Sequence, residues 1–377
     1  MEYRNRFLDL GVTAEETEKR CEEIFRTLFY GSEEERIYHP VEPDMGYMED
    51  TGNHDARTEG MSYGMMMCVQ TNHKEEFDRI WKWAKTYMFM DSGLNKGYFC
   101  WSNSTDGKKN AKGPAPDGEE FFAMDLILAS RRWGDGEGIF NYMNEARTLL
   151  HSMVSRPDNI FGGFNMFDKK NGLIRFVPGV NWSDPSYHLP HFYEFFGQYA
   201  MEEDREFYLR AAKASREYLH IACNADTGLS AEYAHFDGRP VTEKEIKWNA
   251  GGRHDWYYSD AYRTIMNISL DGIWFGKDPW QKEIAGKFQK FYCETLGKEK
   301  WDAILEIDGT VCDGKAMHPV AIIASNATAS LLNDDENAMY CLRRFWETPL
   351  RTGDRRYYDN CLYFFAFLML SGNYRMY

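Results

Sequence analysis

Acidic residues occur repeatedly in long polar loops that stand just before apolar segments of this sequence. They are Asp50, Asp55 and Glu59 before one such segment, Asp117, Glu119 and Glu120 before a second, and Asp184, Asp260 and Asp359 before three others. A pair of carboxylates flanking a slot suits cleavage of a glycosidic bond, because one protonates the leaving oxygen while the other activates water or attacks carbon. Aromatic residues make up 16% of the chain, and their faces can hold the apolar C–H faces of a sugar ring. These residue types therefore favour glycoside cleavage in an aromatic-lined groove.

Composition and motifs disfavour several other functions. The chain carries 44 Lys and Arg against 59 Asp and Glu, a formal net charge of −15. That balance argues against a nucleic-acid-binding protein, which needs a basic surface. A GxxxxGK[ST] motif is missing, and no strand-associated GxGxxG occurs, so nucleotide chemistry is not expected. We expect neither nucleic acid nor a membrane among the partners.

One group of residues resembles part of a metal site. His188 and His191 are three residues apart and are followed by Glu194, and neutral imidazoles are common metal ligands. Pro190 stands between the two histidines, however, and the order of residues is not HExxH. We therefore predict no metal and no other cofactor.

The elements that must position these residues are helices. Apolar residues at helical spacing, such as Cys21, Ile24 and Phe25 after a capping box at Thr13 and Glu16, are typical of amphipathic helices. Twelve such segments are predicted, at 13–30, 59–72, 74–90, 119–133, 139–155, 187–200, 203–223, 257–275, 278–297, 317–332, 334–347 and 358–372.

The twelve segments alternate in character. The odd-numbered ones carry charges on one face, whereas the even-numbered ones are apolar or rich in small residues. An amphipathic helix needs one buried face, and a helix that is apolar all round must be buried on several sides. Six outer helices around six inner ones satisfy both groups, which predicts an all-α fold, an (α/α)6 barrel of six helical hairpins. Because no Gly/Ser-rich linker divides the chain, we expect a single domain, 1–377.

This architecture predicts one functional cleft. In a barrel of alternating helices, the N-termini of the six inner helices open on the same mouth. The polar loops before those helices then line a single cleft, and such loops are where a rigid scaffold usually carries function.

The sequence also indicates a cellular location. A charged start without an apolar core does not resemble a secretory signal, and the longest apolar run, Cys361 to Leu370, is too short to span a membrane. The eight cysteines are scattered without a CxxC pair, which is typical of buried free thiols in a reducing compartment. We expect a cytoplasmic protein, with a monomer as the default.

Several stretches resemble glycoside hydrolase family 8. Residues 57–65, Arg-Thr-Glu-Gly-Met-Ser-Tyr-Gly-Met, resemble the segment that carries the general acid in that family, and residues 115–119, with Trp133, resemble its signature helix. Residues 183–191 and 355–361 are most similar to the reducing-end xylose-releasing exo-oligoxylanases of the family. The resemblance runs through nearly the whole chain, although the segment 237–256 looks longer than the family pattern.

The resemblance implies an (α/α)6 barrel, an inverting mechanism and a role for each matching residue. Glu59 matches the general acid and Asp260 the general base, which in an inverting enzyme stand roughly 6.5–9.5 Å apart. Asp117 matches the carboxylate that holds the sugar at the cleavage point, and Tyr187 matches a tyrosine that positions the attacking water.

Three further residues are implied as substrate contacts. Trp101 falls where the family places a stacking aromatic residue on the glycone side, and Arg263 lies in the segment of the base. His318 falls in the segment that closes the leaving-group side in exo-acting members. The implied reaction is release of xylose from the reducing end of short β-1,4-xylo-oligosaccharides.

The role of Glu59 makes a demand on its surroundings. It must stay protonated near neutral pH, although a helix N-terminus favours the charged form. Partial burial and a nearby Asp117 carboxylate would both raise its pKa, and we expect both.

Other interpretations stay open at this stage. Glu59 and Asp260 are also suited to helix capping, Tyr187 and Trp101 to the core, and His318 to a structural role. An endo-acting xylanase, glucanase or chitosanase of the same family, a non-catalytic oligosaccharide-binding barrel, and a sugar epimerase or lyase are the alternative functions.

Overall fold

Helices form the framework of the protein. The structure is a computed structural model that describes residues 3–246 and 252–377. Its twelve α-helices within those ranges are α1 (Ala14–Tyr30), α2 (Thr58–Thr71), α3 (Lys74–Trp83), α4 (Pro116–Trp133), α5 (Tyr142–Val154), α6 (Pro190–Tyr199), α7 (Glu202–Ala222), α8 (Tyr262–Trp274), α9 (Trp280–Lys290), α10 (Pro319–Ala329), α11 (Glu336–Glu347) and α12 (Arg356–Leu370).

Each predicted helix has its counterpart, and the differences lie at the ends. α3 and α9 continue into π-helical turns, Ala84–Met88 and Phe291–Gly297. α6 and α8 begin later than predicted, since the 3-10 helices Pro185–Tyr187 and Ser259–Ala261 precede them. These two short turns carry predicted functional residues, so the polar loops are more regular than the sequence suggested.

The six even-numbered helices form the inner ring. Each contacts the even-numbered helix before and after it, and α12 closes the ring against α2. Every residue of α12 is buried, as its apolar composition requires. The predicted (α/α)6 barrel with six inner helices is therefore confirmed.

The odd-numbered helices form the outer layer. α1 begins with the predicted capping box of Thr13 and Glu16 and buries a single stripe that includes Cys21, Ile24 and Leu28. One hydrophobic core extends from Phe7 to Tyr374. That continuity is consistent with a single domain, 1–377, which stays a prediction.

Short antiparallel strands connect the loops at the mouth of the barrel, and the sequence analysis did not predict them. They are β1 (Tyr38–Val41), β2 (Met45–Met48), β3 (Asp55–Arg57), β4 (Ser102–Ser104), β5 (Trp182–Ser183), β6 (Ala234–His235), β7 (Trp256–Tyr257), β8 (Ile304–Glu306) and β9 (Val311–Cys312). β3 pairs with β4, β5 with β6, and β7 with β8. These pairs join the loop before one inner helix to the loop before the next.

Among the helices of the described ranges, none is both long and apolar enough to cross a membrane. All eight cysteines are free thiols, seven of them buried and Cys312 half-buried.

In the long segment 237–256, residues 247–251 lie outside the described residues.

Candidate active site

The candidate acids stand at the N-terminal ends of inner helices. Glu59 and Asp117 are each the second residue of their helix, α2 and α4, and Asp260 lies in the 3-10 turn that leads into α8. α2 and α4 approach closely here, because a Cβ on Gly118 would lie 2.4 Å from Cβ of Thr58. Glycine at this position therefore allows Glu59 and Asp117 to face the same space.

The guanidinium group of Arg263 joins the three acids. Its Nη1 donates to Oε2 of Glu59 at 2.7 Å and to Oδ2 of Asp117 at 3.1 Å. Its Nη2 lies 3.3 Å from Oδ1 of Asp260. Nη1 also donates to the hydroxyl of Tyr63 at 2.9 Å. Segments up to 204 residues apart thus meet at one buried cation.

The carboxyl group of Glu59 keeps its proton to a higher pH than an ordinary glutamate. Its side chain is 15% exposed, and its pKa is raised to about 7 because burial outweighs the opposing charge of Arg263. The carboxylates of Asp117 and Asp260 raise this pKa further. Burial and Asp117 thus both act on the pKa of Glu59 in the expected direction, and the role of Asp117 stays a prediction.

The second carboxyl oxygen of Glu59 also has a partner. Oε1 accepts a hydrogen bond from the hydroxyl of Tyr357 at 2.8 Å. Tyr357 packs directly over Gly60, where a Cβ would lie 2.6 Å from its hydroxyl oxygen. A side chain at position 60 would therefore displace Tyr357 from Glu59.

Asp117 lies deeper than Glu59. Oδ1 accepts from the backbone N–H of Gly118 at 2.9 Å, and Oδ2 accepts from Arg263. Burial raises its pKa to about 6, Arg263 opposes the rise, and Asp260 adds to it. A turn-forming role would account only for the oxygen that accepts from the backbone, whereas the other oxygen contacts the guanidinium of Arg263.

Asp260 is the most exposed of the three acids, with 26% of its side chain accessible. The residue before it, Ser259, has a φ of 39°, a left-handed conformation that costs free energy in a residue with a side chain. The hydroxyl of Tyr358 donates to the carbonyl of Ser259 at 2.9 Å. The turn thus presents the Asp260 carboxylate toward the open side of the cleft.

The two predicted aromatic residues differ in exposure. The ring of Tyr187 is buried, and the guanidinium carbon of Arg263 lies 5.5 Å from its centre. Trp101 is 38% exposed, and its carbonyl accepts from the N–H of Thr58, the first residue of α2, at 3.0 Å. Trp101 is therefore not a core residue and lies beside the start of the helix that carries Glu59.

His318 immediately precedes α10 and is fixed by two neighbours. Its Nδ1 lies 3.3 Å from Oδ2 of Asp359, and its ring packs edge-on against Tyr358 with centroids 4.9 Å apart. Asp359 is completely buried. Since Tyr358 also holds the carbonyl of Ser259, His318 lies next to the turn of Asp260.

The residues that resembled a metal site are used in other contacts. The ring nitrogens of His188 lie 3.0 Å from Oγ of Ser183 and 2.8 Å from Oγ of Ser215. Glu194 accepts from Arg216 at 2.8 Å. Within residues 3–246 and 252–377, no three His, Cys, Asp or Glu side chains are grouped to hold a metal ion.

A serine at nucleophile-elbow spacing also has a structural contact. Gly60, Ser62 and Gly64 have the spacing of a G-x-S-x-G motif, which the sequence analysis did not identify. Ser62 is buried inside α2, and its hydroxyl donates to the carbonyl of Glu59 at 3.0 Å. It is therefore not displayed on the strand-to-helix turn that such a nucleophile requires.

Sequence reasoning gave no role to three acidic or hydroxyl groups that the structure adds to the site. Asp184 is fully buried with Oδ2 at 3.8 Å from Nη2 of Arg263, and burial raises its pKa well above its usual range. Glu232 accepts the backbone N–H of Asp260, and the hydroxyl of Tyr357 donates to the carboxyl group of Glu59. Asp184 and Tyr357 stand in the segments 183–191 and 355–361, so their positions could have been identified.

The arrangement supports acid and base catalysis by different carboxyl groups. Glu59 can donate a proton near neutral pH, whereas the more exposed Asp260 can accept one from water. After proton donation, Arg263 and Tyr357 would stabilise the carboxylate formed at Glu59.

Comparison with known proteins finds relatives over the whole chain. The family model described as Glycosyl hydrolases family 8 matches residues 43–372. The reducing-end xylose-releasing exo-oligoxylanase Rex8A of Paenibacillus barcinonensis is 50% identical over 375 residues, 100% of this chain and 97% of that protein. A reducing end xylose-releasing exo-oligoxylanase of Bifidobacterium adolescentis is 44% identical over 98% of this chain and 96% of its own length.

A solved structure agrees with the sequence comparison. The structure of Rex8A complexed with xylose has a TM-score of 0.95 and 49% identity, covering 100% of this chain and 97% of that one.

Proposed function

The chain belongs to glycosyl hydrolase family 8, and we propose that it hydrolyses short β-1,4-xylo-oligosaccharides and releases xylose from their reducing end. The observation that carries the chemistry is the placement of Glu59 and Asp260 on opposite nitrogens of one guanidinium group. The choice of xylose and of the reducing end is supported by 50% identity, over the full chain, to an enzyme of that name.

Glu59 is the general acid in this proposal. A pKa of about 7 keeps much of it protonated near neutral pH, and its proton passes to the glycosidic oxygen as the bond breaks. The carboxylate left behind is stabilised by the hydrogen bonds from Arg263 and Tyr357.

Asp260 is the general base. It removes a proton from the water that attacks the anomeric carbon from the opposite face, so the configuration inverts. Glu59 and Asp260 contact the same guanidinium group, at 2.7 Å and 3.3 Å. The distance between their contacting oxygens therefore cannot exceed the width of the guanidinium group plus these two contact distances. That span is compatible with the roughly 6.5–9.5 Å that leaves room for a water.

Three residues bind the sugar, and a fourth positions the attacking water. Asp117 and Arg263 hold the ring at the point of cleavage, Tyr187 positions the water, and the exposed face of Trp101 stacks on the glycone side. All of these residues belong to one chain, so the proposed reaction needs no partner subunit.

His318 closes the leaving-group side. Its contacts with Asp359 and Tyr358 fix it beside the Asp260 turn, where it leaves room for a single xylose. Exo action at the reducing end follows from that block. We further propose a cytoplasmic location, which the eight free thiols support.

The test compares xylotriose with xylotriose whose reducing end has been reduced to the alditol, with products separated by chromatography. We expect xylose and xylobiose from the free sugar and no cleavage of the alditol. Equal cleavage of both compounds would support a glycoside hydrolase but reject exo action at the reducing end. Cleavage of neither would favour another glycan or a binding barrel.

A further inference from the structure

A carboxylate and an imidazole form a buried pair behind the turn of Asp260. Glu232 has an 8% exposed side chain, and its Oε2 lies 2.7 Å from Nδ1 of His254. Its other oxygen, Oε1, lies 3.5 Å from the backbone nitrogen of Asp260 and accepts that N–H. Burial raises the pKa of Glu232 to about 7, the hydrogen bond from His254 opposes the rise, and Asp260 adds to it.

The backbone fixes both members of the pair. The N–H of Glu232 donates to the carbonyl of Trp256 at 3.0 Å, and the N–H of Tyr233 donates to the carbonyl of His254 at 2.9 Å. The rings of Tyr233 and His254 stack with centroids 4.3 Å apart. The pair is therefore held by backbone hydrogen bonds. His254 lies six residues before Asp260, whereas Glu232 is 28 positions away and reaches the turn through space.

The turn that carries Asp260 needs such support. Ser259 is in the left-handed region with a φ of 39°, and strained residues of this kind persist only when their surroundings hold them. Tyr358 holds the turn at the carbonyl of Ser259. Glu232 holds it one residue later, at the N–H of Asp260.

We propose that Glu232, oriented by His254, is a positioning residue that holds the Asp260 carboxylate in line with the attacking water. This inference rests on the proposed role of Asp260 as general base. Glu232 is not itself suited to that role, because it is less exposed than Asp260 (8% against 26%) and both of its oxygens already accept hydrogen bonds.

The test uses two substrates that separate acid from base catalysis. Hydrolysis of xylotriose needs both the acid and the base. Hydrolysis of β-xylobiosyl fluoride needs only the base, because fluoride leaves without a proton from the acid. The variants are Glu232→Ala, Glu232→Gln and His254→Gln, with Glu59→Gln and Asp260→Asn as references. Asp204→Asn is the matched control, because Asp204 is also a buried carboxylate, 2.8 Å from Nδ1 of a histidine, His151.

We expect Glu232→Ala to lower kcat about 10- to 100-fold on both substrates, as a displaced catalytic group does, with KM little changed. Glu232→Gln retains an acceptor for the N–H of Asp260, so its kcat should lie between those of Glu232→Ala and the wild type. His254→Gln should lower kcat in the same pattern, and Asp204→Asn should match the wild type. Thermal unfolding of each variant establishes that it is folded.

Three outcomes would overturn the inference. Wild-type kcat in Glu232→Ala would leave Glu232 no part in the reaction. Loss on xylotriose with retention on the fluoride, the pattern expected for Glu59→Gln, would place its effect on the acid. Full activity of Asp260→Asn would reject Asp260 as the general base, and the positioning role of Glu232 would be rejected with it. An inactive Asp260→Asn together with a fully active Glu232→Ala would reject only the positioning role. If Glu232→Ala does not fold, His254→Gln and Glu232→Gln decide between the same outcomes.

Discussion

Nη1 of Arg263 lies 2.7 Å from Oε2 of Glu59, although 204 positions separate the two residues. A cation at this distance favours the ionised carboxyl group, and yet the pKa of Glu59 is raised to about 7. Burial and the neighbouring carboxylates outweigh the guanidinium. The same contact that opposes protonation in the resting enzyme would stabilise Glu59 once its proton has left.

Glu59→Gln and Asp260→Asn should each lower kcat on xylotriose by about 10²–10⁴-fold, the usual contribution of a positioned acid or base. Glu145→Gln is a matched control, since Glu145 is 17% exposed and paired with Lys85 at 2.8 Å on the outer layer. Initial rates over a range of xylotriose concentrations measure the effect. Near-wild-type rates in either catalytic variant would remove that residue from the mechanism.

The pH dependence of kcat/KM should show an alkaline limb near pH 7, because activity falls as Glu59 loses its proton. Asp117→Asn removes a negative neighbour and leaves Arg263 freer to stabilise the ionised form. The pKa of Glu59 should fall, and the alkaline limb should move to lower pH. A limb that stays in place in Asp117→Asn would show that Asp117 does not act on Glu59.

Glu59 should also reduce stability at high pH. Its folded-state pKa is above the ordinary value of 4.5, so the unfolded chain loses the proton first. The folded state is stabilised because it binds this proton more tightly than the unfolded chain does. This stabilisation is complete below about pH 4.5 and is lost as the pH rises through about 7. Relative to the wild type, Glu59→Gln should therefore gain as much as about 3 kcal/mol in free energy of unfolding between acidic and alkaline pH. Urea unfolding of both proteins below and above this window measures the gain, and a constant difference would contradict it.

His318→Ala should open the leaving-group side of the cleft. We expect the variant to release xylobiose as well as xylose from the reducing end of xylotetraose, because the block beside Asp260 is removed. Chromatography of early products checks this, with His151→Ala, a histidine on α5, as the control. Xylose as the sole product from the reducing end would mean that another residue forms the block.

The sequence predicted the framework better than the contacts of the site. Helical periodicity identified the twelve α-helices of the described residues. The contrast between apolar and amphipathic segments identified the inner ring, because burial dictates both patterns. The approach of Arg263 to Glu59 and Asp117 depends on packing between helices far apart in sequence, such as the contact at Gly118. Neither that contact nor the pairing of Glu232 with His254 follows from any local pattern. The short strands at the mouth were missed because two to four residues are too few to show alternation.

The anomer that forms first from xylotriose is the most direct test of the central claim, that Glu59 and Asp260 act as an inverting acid and base. Proton NMR spectra taken immediately after mixing resolve the anomers of the xylobiose product before they equilibrate. The proposed mechanism predicts α-xylobiose first, from a β-linked substrate. Initial formation of β-xylobiose would contradict it and would make Asp260 a nucleophile or exclude it from the reaction.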